Sequence, residues 1–123
     1  MTTNKSNRGR LAYEKGQAAE TQVAKHYDNT GATQLARRWR GKSGEIDLIF
    51  QDGDVIVFVE VKSSKNASWA ANALSQNQQK RIMAAAEEYC ANLETGSLTD
   101  MRFDVALICD HGSVEILEAA LGV

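Results

Sequence analysis

The sequence predicts a single α/β domain whose mixed central sheet has about five strands, with helices packed on its faces. Two stretches carry apolar residues at helical spacing, and the β-rich runs between and after them meet at tight turns. Hairpins of this kind favour a mixed sheet over a fully parallel one. The length of 123 residues leaves room for one hydrophobic core and hardly for a second domain.

The elements follow in the order helix, three strands, helix, two strands. Residues 1–10 are polar and basic, and we expect a flexible tail before a domain that spans residues 11–123. The predicted helices cover residues 11–29 and 74–93, and the predicted strands cover residues 32–39, 45–50, 55–62, 101–109 and 113–117. Residues 51–54 (Gln-Asp-Gly-Asp) are a hairpin signal, and residues 63–73 are expected to lead as a loop into the second helix.

Each predicted helix has an apolar stripe that should face the sheet. The residues expected to point inward are Leu11, Ala18, Ala19, Val23, Ala24 and Tyr27 in the first helix, and Ile82, Ala85, Ala86, Tyr89 and Leu93 in the second. Gly31 is suited to end the first helix. Two amphipathic helices on one sheet should therefore bury most of the apolar residues.

Composition argues against several classes of protein. The longest apolar run, Val55 to Val59, is far too short to span a bilayer, and no signal peptide is evident. Cys90 and Cys109 lack metal-ligand or redox spacing, so we expect reduced core thiols in a cytoplasmic protein. His26 and His111 stand alone, which argues against a histidine-based metal site.

The charge is unevenly distributed along the chain. The net charge is −2, yet residues 1–44 hold nine Lys or Arg side chains against three Asp or Glu side chains. A basic half of this kind indicates a surface that could meet phosphates. A solvated face with a basic tail explains the same charge pattern.

The residues that carry chemistry lie in the second and third predicted strands. Side chains alternate between the two faces of a strand, so Glu60 and Lys62 share a face. Both faces of residues 55–59 are apolar, which predicts a central, buried strand. Charged groups at the end of such a strand need partners, because an unpaired buried charge is costly. A surface ion pair between Glu60 and Lys62 is the alternative interpretation.

The hairpin brings Asp47 to the same place. A two-residue turn at Gly53-Asp54 puts Asp47 opposite Glu60, whereas a turn at Asp52-Gly53 puts Asp47 opposite Phe58 and Glu45 opposite Glu60. In both registers Asp47 lies on the face of Glu60, and a three-residue loop would reverse the faces. Opposed carboxylates repel, so their pairing indicates a cation between them.

Hard cations such as Mg²⁺ or Mn²⁺ fit this arrangement, because they take carboxylate and phosphate oxygens. Asp47 and Glu60 are the predicted metal ligands, and the backbone carbonyl of Val61 is a further candidate. Lys62 is placed to hold an attacking water or to stabilise charge that develops on a phosphate. Without the metal, the crowded carboxylates should have raised pKa values.

The run Gly44-Glu45-Ile46-Asp47-Leu48-Ile49, followed by Phe58-Val59-Glu60-Val61-Lys62, resembles the UPF0102/YraN family, a branch of the PD-(D/E)XK nuclease superfamily. Gly16, Glu20 and residues 102–105 (Arg-Phe-Asp-Val) match other parts of the family's pattern. The resemblance covers nearly the whole chain from about Leu11. It implies a restriction endonuclease-like core and a metal-dependent DNA nuclease.

The resemblance also implies roles for individual residues. Asp47 and Glu60 would be metal ligands, Lys62 the catalytic lysine, and Glu20 a helix carboxylate that points towards the site. Gln79 would face the same cleft from the second helix. The chain departs from the family where Arg38 stands in place of a frequent Asn, and where Gln78 stands in place of a frequent Lys.

The predicted partner is nucleic acid, which we expect to be DNA, with branched and single-stranded forms among the candidate substrates. The candidate contacts are Arg38, Arg40, Lys42 and Gln79. Trp39 and Trp69 are candidates for base stacking, with core packing as the alternative. We expect no membrane contact, and a sheet edge leaves a homodimer possible.

Arg102 and Asp104 share a strand face, so we expect a structural ion pair outside the site, and we expect Asp110-His111 to form a turn. Two alternatives to a nuclease stay open at this point. The protein could be a non-cleaving nucleic-acid-binding accessory in DNA repair or recombination, or a degenerate nuclease fold that serves protein contacts.

Overall fold

A five-stranded mixed sheet with a helix on each face organises the chain, as the sequence predicts. The computed structural model describes residues 17–63, 74–109 and 112–120. The helices are α1 (residues 17–29) and α2 (Gln76–Cys90), and the strands are β1 (Thr33–Arg40), β2 (Glu45–Asp52), β3 (Val55–Ser63), β4 (Asp100–Ile108) and β5 (Val114–Leu117). A short 3₁₀ turn, Gly96–Leu98, precedes β4.

The strands lie in the order β1-β2-β3-β4-β5, and only the β3–β4 pair is parallel within the described sheet. Antiparallel neighbours need short turns, whereas a parallel pair needs a crossover, and α2 lies between β3 and β4 in the chain. The predicted edge strand over residues 32–39 is confirmed as β1. Its partner-free outer side and that of β5 are the edges of the sheet.

The β2–β3 hairpin turns at Gly53-Asp54. Asp52 pairs with Val55, and Gly53 has a φ of +61°, a left-handed conformation that glycine adopts without steric cost. The first of the two predicted registers is therefore confirmed, and the alternative that pairs Asp47 with Phe58 is wrong, because Phe58 pairs with Ile49. This turn sets which residues of β2 and β3 meet at the far end of the hairpin.

Two apolar layers hold the helices on the sheet. On one face, Val23 and Tyr27 of α1 pack on the β3 residues Val57 and Val59. The opposite face packs Ile82, Ala85, Ala86 and Cys90 of α2 against Ile49, Ile56, Phe58 and Phe103. β3 is buried on both faces, as the sequence predicts for a central strand.

Helix α2 begins later and ends earlier than the predicted range of residues 74–93. Ser75 caps it, since its Oγ accepts the N–H of Gln78 at 3.1 Å while Gln78 Oε1 accepts the N–H of Ser75 at 3.1 Å. The helix ends at Cys90, and Leu93 reaches the core from the following turn, in which its N–H bonds to the Cys90 carbonyl at 2.9 Å.

Two expectations about burial were wrong. Ala18 is exposed on α1, whereas Glu20 is buried, because the helix turns Glu20 towards an arginine of β1. Cys109 is only half-buried, since it follows the last residue of β4, while Cys90 is a buried free thiol as predicted. The predicted tail over residues 1–10, Trp69 and Asp110-His111 lie outside the described residues.

Within the described residues, neither helix is long and apolar enough to cross a membrane.

Candidate active site

The candidate site lies where β2 and β3 stop pairing. The two strands are paired from Asp52 and Val55 to Leu48 and Val59, and the next position along would join Asp47 to Glu60. Beyond that point the Asp47 side chain replaces a backbone acceptor, because the Val61 N–H donates to Asp47 Oδ2 at 2.8 Å. The Asp47 carboxylate is thereby fixed between the strands and beside Glu60.

Side chains from four elements meet around this point. They line an open cavity of about 400 Å³ formed by Ala19, Glu20, Arg38, Glu45, Asp47, Glu60 and Val61. Five of the predicted site residues thus line one cavity: Glu20, Arg38, Asp47, Glu60 and Val61. Lys62 does not line the cavity, but the Lys62 Nζ lies 3.7 Å from Glu60 Oε1 and forms an ion pair with that carboxylate.

The two central carboxyl groups disfavour their charged forms. Burial, followed by the charge of Asp47, raises the pKa of Glu60 to about 7, and Lys62 opposes the rise. Burial also raises the pKa of Asp47, and the neighbouring charges of Glu20 and Glu45 add to that rise. The N–H of Val61 acts in the opposite direction on Asp47. The site therefore favours added positive charge, either a proton or a metal cation.

Glu20 is held by Arg38. The Nε of Arg38 donates to both carboxylate oxygens of Glu20, at 2.6 and 2.9 Å, and the Glu20 side chain is only 5% exposed. Arg38 has a φ of +54°, which is uncommon and costly for a residue with a side chain. The kink places both Arg37 and Arg38 on the α1 side, where Arg37 Nη2 donates to the Gln17 carbonyl at 2.7 Å.

The residues predicted to contact nucleic acid differ in their exposure and in their hydrogen-bond partners. Arg40 is 79% exposed and pairs with Glu45 at 3.3 Å, and Lys42 lies in the exposed loop that follows β1. Arg38 lines the cavity. Gln79 donates to the Leu74 carbonyl at 3.2 Å, and it is the neighbouring Gln78 that lines a cavity shared with Glu60.

Sequence reasoning missed one residue of the cavity lining and one contact that holds the neighbouring β1–β2 loop. Glu45 lines the cavity, and Glu88 of α2 accepts the backbone N–H groups of Lys42 at 2.8 Å and Ser43 at 3.0 Å. Those two hydrogen bonds lower the pKa of Glu88 and fasten the β1–β2 loop to α2. Glu45 precedes Ile46 in a strand motif and was a foreseeable candidate, but nothing in the sequence pairs Glu88 with a loop 45 residues away.

The ligand set for a metal is small. No group of three or more His, Cys, Asp or Glu side chains is placed to hold an ion among the residues that the structure describes. Asp47 and Glu60 offer hard carboxylate oxygens, whereas the other two carboxylates of the cavity are paired, Glu20 with Arg38 and Glu45 with Arg40. Such a pair suits a cation that completes its shell with water and phosphate oxygens.

Comparison with known proteins places the chain in a family. A profile described as "Uncharacterised protein family UPF0102" matches residues 19–108, which include Glu20, Asp47, Glu60 and Lys62. The chain belongs to the UPF0102 family.

Relatives in this family match over nearly the whole chain. A UPF0102 protein of Roseobacter denitrificans is 48% identical over 98% of this chain and 94% of its own length. A UPF0102 protein of Ruegeria pomeroyi is 48% identical over 95% of both chains. One of Cereibacter sphaeroides is 51% identical over 91% of this chain and 96% of its own. The resemblance inferred from the strand motifs is thus confirmed at the level of the family.

Proposed function

We propose that this UPF0102 protein is a Mg²⁺- or Mn²⁺-dependent nuclease that hydrolyses phosphodiester bonds in DNA. One observation carries the proposal: Asp47 and Glu60 are held together at the open end of the β2–β3 hairpin, where both have raised pKa values. Repulsion between carboxylates costs stability. A site that keeps such a pair at a cavity is suited to a cation.

The residues present fit a hard divalent ion. Asp47 and Glu60 would hold it, with the Val61 carbonyl as a further candidate ligand, and water and substrate phosphate would supply the other oxygens. Once bound, the ion supplies Lewis-acid polarisation of the phosphoryl group and a more acidic water. The raised pKa values mean that both carboxyl groups gain a proton easily when no cation is present, so ion uptake should release protons.

Lys62 is the cation that pairs with Glu60 among the residues that the structure describes. Its Nζ, 3.7 Å from Glu60 Oε1, is within reach of a phosphate oxygen placed against the same carboxylate. From there the ammonium group would stabilise negative charge that develops on the phosphate and orient the attacking water. Glu20 acts through Arg38: their two-pronged contact holds the Arg38 guanidinium at the rim of the cavity.

The fold supports the same proposal. An antiparallel three-strand unit followed by a helix and a parallel fourth strand agrees with the restriction endonuclease-like core that the strand motifs imply. The site lies at the end of the two central strands, open to a ligand. We further propose that the protein acts in the cytoplasm, where free thiols such as Cys90 stay reduced.

A cleavage panel tests the proposal. The protein is incubated with duplex, single-stranded and branched DNA in the presence of Mg²⁺ or Mn²⁺. We expect metal-dependent cleavage that falls by at least about 10²-fold in Asp47→Asn, Glu60→Gln and Lys62→Ala. Glu94→Gln, an exposed carboxylate remote from the site, is the matched control and should cleave normally. Cleavage that persists in Asp47→Asn would mean that another site or a contaminant is responsible.

The second candidate is a protein that binds nucleic acid without cutting it, as an accessory in repair or recombination. The small ligand set favours it: Arg38 pairs with Glu20 and Arg40 pairs with Glu45, which leaves Asp47 and Glu60 for an ion among the carboxylates that line the described cavity. Calorimetric titration with Mn²⁺ separates the two candidates. Binding that is lost in Glu60→Gln supports the nuclease, whereas DNA binding without Mn²⁺ uptake supports the accessory role.

A further inference from the structure

We propose that Arg81 and Gln78 of α2 form a second phosphate subsite, which holds a backbone phosphate next to the one at the Asp47–Glu60 pair. This inference rests on the proposed function, because it assigns the neighbouring part of the same nucleic-acid strand. Nothing in the strand motifs points to Arg81. Its assignment comes from the shape of the molecule on the α2 side of Glu60.

Glu60 is shared between two cavities. The larger lies on the α1 side, and a second of about 210 Å³ is lined by Gly44, Glu45, Glu60, Gln78, Arg81 and Ile82. Because Glu45 and Glu60 belong to both linings, the two cavities are neighbours separated by these carboxylates. A strand of nucleic acid with one phosphate at Asp47 and Glu60 would therefore have the next within reach of α2.

Arg81 differs from three other cations near the site, Arg38, Arg40 and Lys62. Each of those is paired with a carboxylate: Arg38 with Glu20, Arg40 with Glu45, and Lys62 with Glu60. The Arg81 side chain, by contrast, is exposed and makes no hydrogen bond or ion pair with any residue that the structure describes. A guanidinium in that state is available to a phosphate, for which its planar array of donors is well suited.

Gln78 gives the subsite a fixed wall. Its backbone and side chain both take part in the capping box with Ser75, which fixes it in the first turn of α2. Positions three apart lie on one face of a helix, so Gln78 and Arg81 face the cavity together. The subsite thus combines one rigid polar group with a cation that has no ion-pair partner among the described residues, in a cavity that Glu60 also lines.

The test compares Arg81→Ala with Lys80→Ala, which removes the same charge from the adjacent, exposed position outside the cavity lining. Binding of a fluorescein-labelled 20-nucleotide DNA strand is followed by anisotropy across a salt series, with Ca²⁺ as the hard cation. We expect Arg81→Ala to weaken binding about five- to tenfold and to reduce the salt slope by about 0.7, the loss of one phosphate contact on a single strand. Lys80→Ala should weaken binding less than about twofold, and Arg81→Lys should recover part of the affinity.

Mn²⁺ titration separates failure of the subsite from failure of the proposed function. Arg81→Ala should bind Mn²⁺ as the unmodified protein does, since Arg81 supplies no ligand oxygen. If Lys80→Ala weakens DNA binding as much as Arg81→Ala, or if neither does, the subsite is overturned while the metal site stands. If the unmodified protein binds neither Mn²⁺ nor DNA, both proposals are wrong.

Discussion

Buried or half-buried carboxylates lie at two places on the central strands of this sheet: Asp104 on β4, and the pair Asp47 and Glu60 on β2 and β3. Their surroundings differ. Asp104 on β4 has a fully buried side chain that accepts four hydrogen bonds. The donors are Arg102 Nε at 3.0 Å, Arg102 Nη2 at 3.1 Å, the Tyr27 hydroxyl at 2.7 Å and the Ala119 N–H at 3.0 Å. Asp47 and Glu60 lie beside each other instead, so that their negative charges repel.

The difference separates a carboxylate that holds the fold from carboxylates that await a ligand. Asp104 ties β4 to α1 and to the segment after β5, and burial of Tyr27, together with its hydrogen bond to Asp104, raises the pKa of Tyr27. The predicted ion pair of Arg102 and Asp104 is thereby confirmed as a structural feature. Asp47 and Glu60 line an open cavity, and Lys62 forms an ion pair with Glu60. Substitutions should therefore have opposite effects on stability in the two groups.

The largest expected effect is at Asp104. Asp104→Ala would leave the Arg102 guanidinium, the Tyr27 hydroxyl and the Ala119 N–H without their acceptor, and we expect a loss of about 4 kcal/mol in the free energy of unfolding. Urea denaturation of the purified variant measures it. Glu115→Ala, at an exposed position of β5, is the control and should change stability by less than about 0.5 kcal/mol. Equal losses in both variants would remove the distinction drawn between the two groups.

Glu60→Gln, unlike Asp104→Ala, should raise the free energy of unfolding of the metal-free protein. The folded-state pKa of Glu60 is raised from 4.5 to about 7, so the folded protein retains a proton that the unfolded chain releases. Stability is therefore fully present below about pH 4.5 and is lost as pH rises towards 7. Above that pH we expect Glu60→Gln to be more stable than the unmodified protein by about 2 kcal/mol, since the shift is partly screened at a side chain that is 19% exposed.

The measurement is urea unfolding at pH 5 and pH 8, with a chelator present. The stability difference between Glu60→Gln and the unmodified protein should grow with pH, and Mn²⁺ at pH 8 should reverse it by stabilising only the protein that keeps Glu60. A difference that is the same at both pH values would show that the carboxyl group does not titrate between them.

A smaller effect is expected from Tyr27→Phe, which removes one donor from Asp104 and leaves three. The ring stays stacked on Phe50, with centroids 4.4 Å apart, so packing is retained and only the hydroxyl is lost. We expect a loss of about 1–2 kcal/mol in the free energy of unfolding. In an Asp104→Ala background the same change should cost much less, because the acceptor is already absent; additive losses would contradict the hydrogen bond.

Much of this fold follows from local patterns. The predicted bounds of every described strand lie within about two residues of the observed ones. The turn at Gly53-Asp54 also predicted the pairing that brings Asp47 to Glu60. These are consequences of short-range rules on turns and alternation. The ends of α2 were less well predicted, because the Ser75 cap competes with a continuing apolar stripe.

The parts that sequence reasoning missed depend on contacts between distant segments. The burial of Glu20 requires the left-handed backbone at Arg38, 18 residues along the chain, and no local pattern predicts that conformation. The attachment of the Lys42 loop to Glu88 likewise joins two separate elements. Arg81 is a candidate phosphate contact because it lines a cavity shared with Glu60, a contact that no local sequence pattern predicts.

The smallest effect on stability is expected at Arg40, which lies near the site but outside both groups of buried carboxylates. Its ion pair with Glu45 is exposed, and pairs of this kind contribute little, so Arg40→Ala should change the free energy of unfolding by less than about 0.5 kcal/mol. If Arg40 contacts the DNA backbone as its position indicates, the same variant should still weaken binding of a labelled DNA strand by about two- to fivefold, and less so as salt is added. A variant with lower stability and unchanged DNA binding would assign Arg40 to the fold instead, and would leave Arg38 and Arg81 as the cations that meet the phosphates.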